Sequence, residues 1–227
     1  MNTRPLDFLL AVLALGSILA IAWLVTRYVA VPLSLRQLGD YHVIADSLFF
    51  LLCYGVTAAI WTRVLLRVFP FRPGEYAMEE TTFTVWKLLA VIYEVGRGAL
   101  LPFTTVFAEP LVAMLFGAKI GSNVAMGGRI ADPSLVTVGE GAVLGHNSVI
   151  TPHAITSGRI ILREVRIGRG ATVGVNVVVM AGADIGDGSV IAAGSVVPPY
   201  AKIPAGELWG GIPARRIKAI EPLDLRS

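Results

Sequence analysis

The stretch Val173-Gly-Val-Asn-Val-Val-Val179-Met-Ala-Gly-Ala-Asp-Ile185-Gly-Asp-Gly-Ser-Val-Ile191-Ala-Ala-Gly-Ser-Val-Val197 places an aliphatic residue at every sixth position. Followed in both directions, the period runs from Ile120 to about Ala214. Its first positions are Ile120, Met126, Asp132, Val138, Leu144 and Ile150. After a slip of five residues they resume as Ile161, Ile167, Val173, Val179, Ile185, Ile191, Val197, Ile203 and Trp209. Second positions are usually small (Gly121, Gly139, Gly186, Ala192 and Gly210 among them), and most fifth positions are small or β-branched. A sustained six-residue period indicates a parallel β-helix. Each hexad is one short strand and a turn, and three hexads close a triangular coil. Aliphatic first positions point inward, and small residues fit the corners. Fifteen hexads predict five coils.

Outside the repeat the composition changes. The 227 residues are 55% hydrophobic and only 15% charged, against roughly 25% charged in soluble domains. The apolar excess lies in the first hundred residues. Phe8–Thr26 carries no charge and is closed by Arg27, about the length that crosses a bilayer as a helix. Asp7 precedes it and no small-residue cleavage site follows, which argues against a signal peptide. A second apolar run extends from Val43 to about Leu66. Asp46 near its start reads as a helix-start acid, and His42 as a membrane-edge residue. Arg63 and Arg67 close the second run and Arg72 and Lys87 follow it, so the positive-inside rule puts both chain ends in the cytoplasm. The expectation is an integral protein of a bacterial-type inner membrane.

Pro70–Glu80 reads as a turn-rich break. Thr82–Leu101 reads as a helix whose Trp86 and Tyr93 suit a membrane interface, while Lys87, Glu94 and Arg97 disfavour a third span. A shorter helix interrupted by Pro110 leads into the first coil. The predicted organisation is two transmembrane helices over 1–70, connecting helices over 71–117, a β-helix over 118–214 and a basic tail over 215–227. A net charge of +3 with no basic–aromatic pattern gives no case for nucleic acid. The single cysteine, Cys53, lies in an apolar run, which excludes disulfides and Cys-rich metal sites.

Three motifs carry a family resemblance: Asp132-Pro-Ser-Leu-Val-Thr-Val-Gly139, Thr151-Pro-His153 and Trp209-Gly-Gly-Ile-Pro-Ala-Arg215. Together they resemble hexapeptide-repeat acyltransferases, especially galactoside, maltose and xenobiotic acetyltransferases. Arg72-Pro-Gly-Glu-Tyr76, with the apolar runs, is similar to the membrane-embedded terminal region of ε-poly-lysine synthetase-type enzymes. The resemblance implies a left-handed β-helix, a homotrimer, and acyl-coenzyme A bound between subunits as donor, with no metal. It makes His153 the general base and Asp132 an acceptor-contacting residue that orients the nucleophile. It also makes Arg215, Arg216 and Lys218 contacts to coenzyme A phosphates beside Trp209, Gly210 and Gly211. The small Ala192 and Ala193 would accept the pantetheine arm. Departures from the family are the short insertion, Thr156–Ile160, and the stretch Ala125-Met-Gly-Gly128, where sugar acetyltransferases carry an asparagine. The second argues against a sugar acceptor.

Competing readings stand beside these. Asp132 occupies an inward first position, which is a plain frame irregularity unless it is functional. Asn176, one coil beyond His153 by residue count, is expected directly above the imidazole, either as a hydrogen-bond partner of the imidazole or of the thioester carbonyl, or as a stacked turn asparagine. His146 has no neighbouring loop. A γ-type carbonic anhydrase would need three zinc-binding histidines, and the repeat holds two. A non-catalytic membrane scaffold is the remaining alternative. The favoured reading is a membrane-bound acyltransferase acting on a hydroxyl or amine of a membrane-associated acceptor.

Overall fold

Ile150 and Val179 are 29 residues apart yet are register partners in neighbouring parallel strands. Val179 and its next partner, Val197, are only 18 apart. Eighteen is three hexads, so the wider step contains eleven extra residues, and the winding of the chain follows from that. The computed structural model describes residues 4–105 and 107–220. Its repeat winds through three parallel sheets. The first contains β2 (Lys119–Ile120), β5 (Val136–Val138), β10 (Val165–Ile167), β13 (Asp184–Ile185) and β16 (Lys202–Ile203). The second contains β3 (Ala125–Met126), β6 (Val143–Leu144), β11 (Thr172–Val173), β14 (Val190–Ile191) and β17 (Glu207–Gly211). The third contains β4 (Arg129–Ile130), β7 (Val149–Ile150), β12 (Val178–Val179) and β15 (Val196–Val197).

The inward side chains form one core: Met126, Ile130, Val138, Leu144, Ile150, Ile167, Val173, Val179, Ile185, Ile191, Val197 and Ile203. Each is stabilised by roughly 1.5–3 kcal/mol on full burial. Corners require residues that tolerate positive φ. One corner stacks Asn123, Gly141, Gly170, Gly188 and Gly206, and the next stacks Asn147, Asn176 and Gly194. The small second positions have a steric cause. A Cβ on Gly186 would lie 2.5 Å from the Ala205 backbone nitrogen of the next coil.

The frame differs from the sequence reading in two places. In the first coil the inward residue of the third sheet is Ile130, paired with Ile150, and not Asp132. The chain takes a short step from Met126 and then spends the saved residues on a bulge, which puts Asp132 outside the core. After Ile150, the eleven extra residues include a hairpin, β8 (His153–Thr156) and β9 (Arg159–Leu162). Ile161 therefore pairs with Ala154 across the hairpin and is not a rung of the coil. The expected insertion of five residues, Thr156–Ile160, covers only the hairpin tip. A third strand, β1 (Gly74–Ala77), pairs antiparallel with β9, inside the stretch expected to be only a turn-rich break. The C-terminal basic stretch is also ordered. β18 (Ala214–Ala219) folds back antiparallel on β17, while residues 221–227 of the expected tail lie outside the described residues.

The described residues form two compact units: residues 4–70 with 78–104, and residues 71–77 with 105 and 107–220. The second is the β-helix with β1 and α5 (Glu109–Leu115). Pro110 lies in the first turn of α5, where its missing N–H costs nothing, so it starts this helix and does not interrupt one.

The first unit is helical: α1 (Pro5–Val25), α2 (Val31–Leu38), α3 (His42–Val68) and α4 (Thr81–Leu100). Pro5–Val68 is one helical run, long and apolar enough to cross a membrane. Gly39, at φ 54°, turns the run back so that α1 and α3 pack together. Small residues make that packing close: Ala14 and Ala22 on α1, and Gly55, Ala58 and Ala59 on α3. A Cβ on Gly55 would lie 2.3 Å from Leu100 Cγ, so α4 rests on the glycine itself. Lys87 of α4 pairs with Asp7 of α1, which neutralises one of the three charges that weighed against an apolar setting. Outward faces stay apolar, with Phe8, Val12, Leu13 and Trp23 more than half exposed.

Candidate active site

The bulge after β4 gives the site its carboxylate. Asp132 adopts φ 45°, a left-handed conformation that Asp tolerates better than most residues. It is followed by the 3-10 turn Pro133–Leu135. Ala131 N–H donates to Ile150 O at 2.9 Å, so this corner lies one rung below the residues that follow Ile150. Those residues are Thr151, Pro152 and His153. The hairpin base is closed by Arg163 N–H donating to Pro152 O at 2.9 Å, and Thr151 Oγ1 donates to His153 O at 3.0 Å.

Stacked corners thus bring Asp132 beneath His153, and His153 Nδ1 hydrogen-bonds Asp132 Oδ2. The carboxylate side chain is 7% exposed and the imidazole 27%. A nearly buried carboxylate fixes the ring tautomer and favours the imidazolium when it forms. An imidazole held at Nδ1 can exchange a proton only through Nε2. His153 opens a hairpin strand here and does not sit at a plain turn position.

Asn176 is elsewhere. Register on both sides places it over Asn147, and its N–H donates to His146 O at 3.0 Å. The eleven-residue insertion defeats a count that allowed five. Over Thr151 at the His153 corner stands Met180. His146 is exposed on the corner it shares with Asn147.

The residues expected at the donor fall together at the C-terminal end of the second sheet. Ala192 N–H donates to Trp209 O at 2.8 Å, and Ala193 is exposed beside it. Gly210 faces Arg215 across the hairpin, Gly211 faces Ala214, and Leu208 faces Lys218. A Cβ on Gly210 would lie 3.1 Å from Ala192 Cβ, so this edge has no side-chain bulk to spare. Arg216 Nε donates to Glu207 Oε1 at 2.7 Å, and Trp209 Nε1 donates to Glu207 Oε2 at 2.8 Å. Those two bonds, the Trp209 one first, hold the Glu207 carboxyl below its usual range. Arg216 thus orders the hairpin, while Arg215 and Lys218 carry the remaining charge at this edge.

One feature went unread in the sequence. A cleft of about 310 Å³ is lined by Pro73, Arg163, Arg166, Asp184, Tyr200 and Lys202, among others. Arg163 lies over the Tyr200 ring at 5.7 Å and 3.5 Å from Glu75. The signal in the sequence was Tyr200, a bulky residue at a corner that needs positive φ, where such residues are uncommon.

Known proteins share this repeat. Residues 164–199 match the family model "Bacterial transferase hexapeptide (six repeats)". The chain is similar to a delta-poly-L-ornithine synthetase of Acinetobacter baumannii, 26% identical over 149 residues. That match takes in 65% of this chain and 11% of the synthetase. Among solved structures it is similar to a maltose O-acetyltransferase from Clostridium difficile 630. The identity is 24% and the TM-score 0.41, covering 74% of this chain and 88% of that one. A hexapeptide-repeat acetyltransferase from Vibrio cholerae, complexed with acetyl coenzyme A, is 25% identical. It has a TM-score of 0.41 and covers 46% of this chain and 61% of that one.

Proposed function

We propose that this chain is a membrane-bound acyltransferase that moves an acetyl or other short acyl group from acyl-coenzyme A to a hydroxyl or amine of a membrane-associated acceptor. The observation that carries the reading is the His153–Asp132 pair at the foot of the β8–β9 hairpin. The repeat family, one of transferases, and the acetyl coenzyme A complex of the Vibrio relative agree with it.

In this mechanism the acceptor X–H stands against His153 Nε2. As X attacks the thioester carbonyl carbon, Nε2 takes its proton, and Asp132 steadies the imidazolium. The tetrahedral intermediate collapses by breaking the C–S bond. The leaving thiolate recovers the proton, which yields acyl-X and free coenzyme A. Pantetheine would run along Ala192 and Ala193 towards Trp209, Gly210 and Gly211, a strip whose small residues fit a chain lying close against backbone. Arg215 and Lys218 would meet phosphates, and Arg216 would serve by holding the hairpin through Glu207. Asn176 joins the site only through a donor bound along its own corner.

The winding in this reading is left-handed, in five coils. The functional unit is a homotrimer, whose neighbouring chain closes the solvent side of His153. The helical unit, with its apolar outer face, would anchor the enzyme in the inner membrane with the β-helix in the cytoplasm. The test is incubation of purified full-length protein with labelled acetyl-coenzyme A and a lipid extract. Label should enter the lipid fraction with wild type and not with His153→Ala. Label entering only water-soluble acceptors would overturn the membrane acceptor, and equal labelling by both proteins would overturn the base.

A further inference from the structure

The helical unit contains a second histidine–carboxylate pair, unrelated to His153. His42 Nδ1 lies 2.7 Å from Asp46 Oδ2, one turn along α3. Ser34 of α2 donates its hydroxyl to Asp46 Oδ1 at 2.6 Å. Asp46 is 8% exposed, so it is more than the helix-start acid suggested by its position. An ionisable group in such a setting is costly to retain and marks function by default.

The pair borders a cavity of about 430 Å³ lined by Trp23, Thr26, His42, Val43, Asp46, Ser47, Phe50 and Leu51, of the size that takes small molecules. Its wall is irregular where α1 gives way to the wide π-helical turn Thr26–Ala30. Such turns inside α-helices are frequent at functional sites. The hydroxyls in the wall are already committed to backbone. Thr26 Oγ1 donates to Ala22 O at 2.8 Å, and Ser47 Oγ to Val43 O at 2.7 Å. Both Asp46 oxygens are occupied as well. Trp23 adds an indole N–H, and in the neutral ring, with Nδ1 donating to the carboxylate, Nε2 of His42 is an acceptor. The rest of the cavity is aromatic and aliphatic.

We infer that this cavity binds the head of one amphiphile that carries a hydroxyl or amine, donated to His42 Nε2, with its acyl chain along Trp23, Phe50 and Leu51. An acidic head is disfavoured because the Asp46 carboxylate stands behind the imidazole. The exposed apolar residues around the site, Trp23 and Val43, indicate that such a ligand comes from a bilayer. The inference rests on the membrane placement of the helical unit and is independent of acyl transfer by His153.

The test uses the full chain in lipid nanodiscs with three photoreactive C16 probes, an alcohol, an amine and a carboxylate, and labelled residues are mapped by mass spectrometry. The alcohol and amine should label Trp23, Phe50 or Leu51, and the carboxylate should not. His42→Phe should reduce that labelling roughly tenfold, the scale of one lost hydrogen bond. Val43→Trp, which fills the cavity and leaves the pair intact, should do the same, and His153→Ala should leave labelling unchanged. Equal labelling by all three probes, or labelling that survives both variants, would overturn the site. So would a cavity left unlabelled because a second copy of the chain covers it. A chain extracted without detergent would instead remove the membrane placement.

Discussion

His153 Nδ1 hydrogen-bonds Asp132 Oδ2 although the two are 21 residues apart. Stacked corners of adjacent coils bring them together. If Asp132 orients the imidazole, Asp132→Asn should keep the fold and lower kcat by about 10²-fold or more, with KM for acyl-coenzyme A little changed. His153→Ala should lower kcat by about 10²-fold or more and still bind coenzyme A. Steady-state kinetics with calorimetry of coenzyme A binding separates the two effects. An Asp132→Asn enzyme at wild-type kcat would remove the orienting role.

Strand pairing makes Ile161 and Ile167 unequal, although both are first positions by sequence: Ile167 pairs with Val138 in the first sheet and Ile161 with Ala154 in the hairpin. Ile167 is 2% exposed in the core and Ile161 is half-buried in the hairpin. Ile167→Ala should cost about 2–5 kcal/mol, as deletions in packed cores do. Ile161→Ala should cost about 1 kcal/mol, the ordinary value for a point substitution. Chemical denaturation of both variants provides the comparison, and equal losses would restore the plain hexad count.

Gly74 pairs with Leu162, and Leu162 pairs in turn with His153. A glycine inserted between Glu75 and Tyr76 shifts the β1 register by one residue and turns its side chains to the other face. Amide exchange across 153–162 should then accelerate and acyl transfer should fall. The exchange of β13 and β16 should be unchanged. Unaltered protection of the hairpin would show that β1 does not brace it.

Glu207 gives the C-terminal hairpin an acid-sensitive clamp. Its folded carboxyl titrates below the ordinary value of 4.5, so the ionised form is the stabilising one. The contribution is complete above that ordinary value and disappears as pH falls through the lower folded value. Opening of β18, followed by fluorescence of Trp209 against a Trp209→Phe control, should begin only below pH 4.5. Glu207→Gln should remove this transition and loosen β18 at neutral pH.

The period of six is a local property, so the sequence by itself determined the coil. An aliphatic residue at the first position and a small one at the second admit little but a tight parallel winding, and the core is made of those residues. The two apolar runs are similarly legible, because length and sustained hydrophobicity decide them. His153 and Asp132 could be named from their motifs. What only the tertiary structure decided was where the frame breaks. Ile130 and Asp132 compete for one inward position, and burial of a carboxylate decides it in favour of Ile130. Ile161 fits the hexad but is taken by a hairpin whose third strand, β1, comes from more than eighty residues earlier. No local pattern can register such a partner. The same non-local choice moved Asn176 onto Asn147. In the helical unit, the back-turn at Gly39 and the packing of α2 on α3 joined Ser34 to Asp46 and His42.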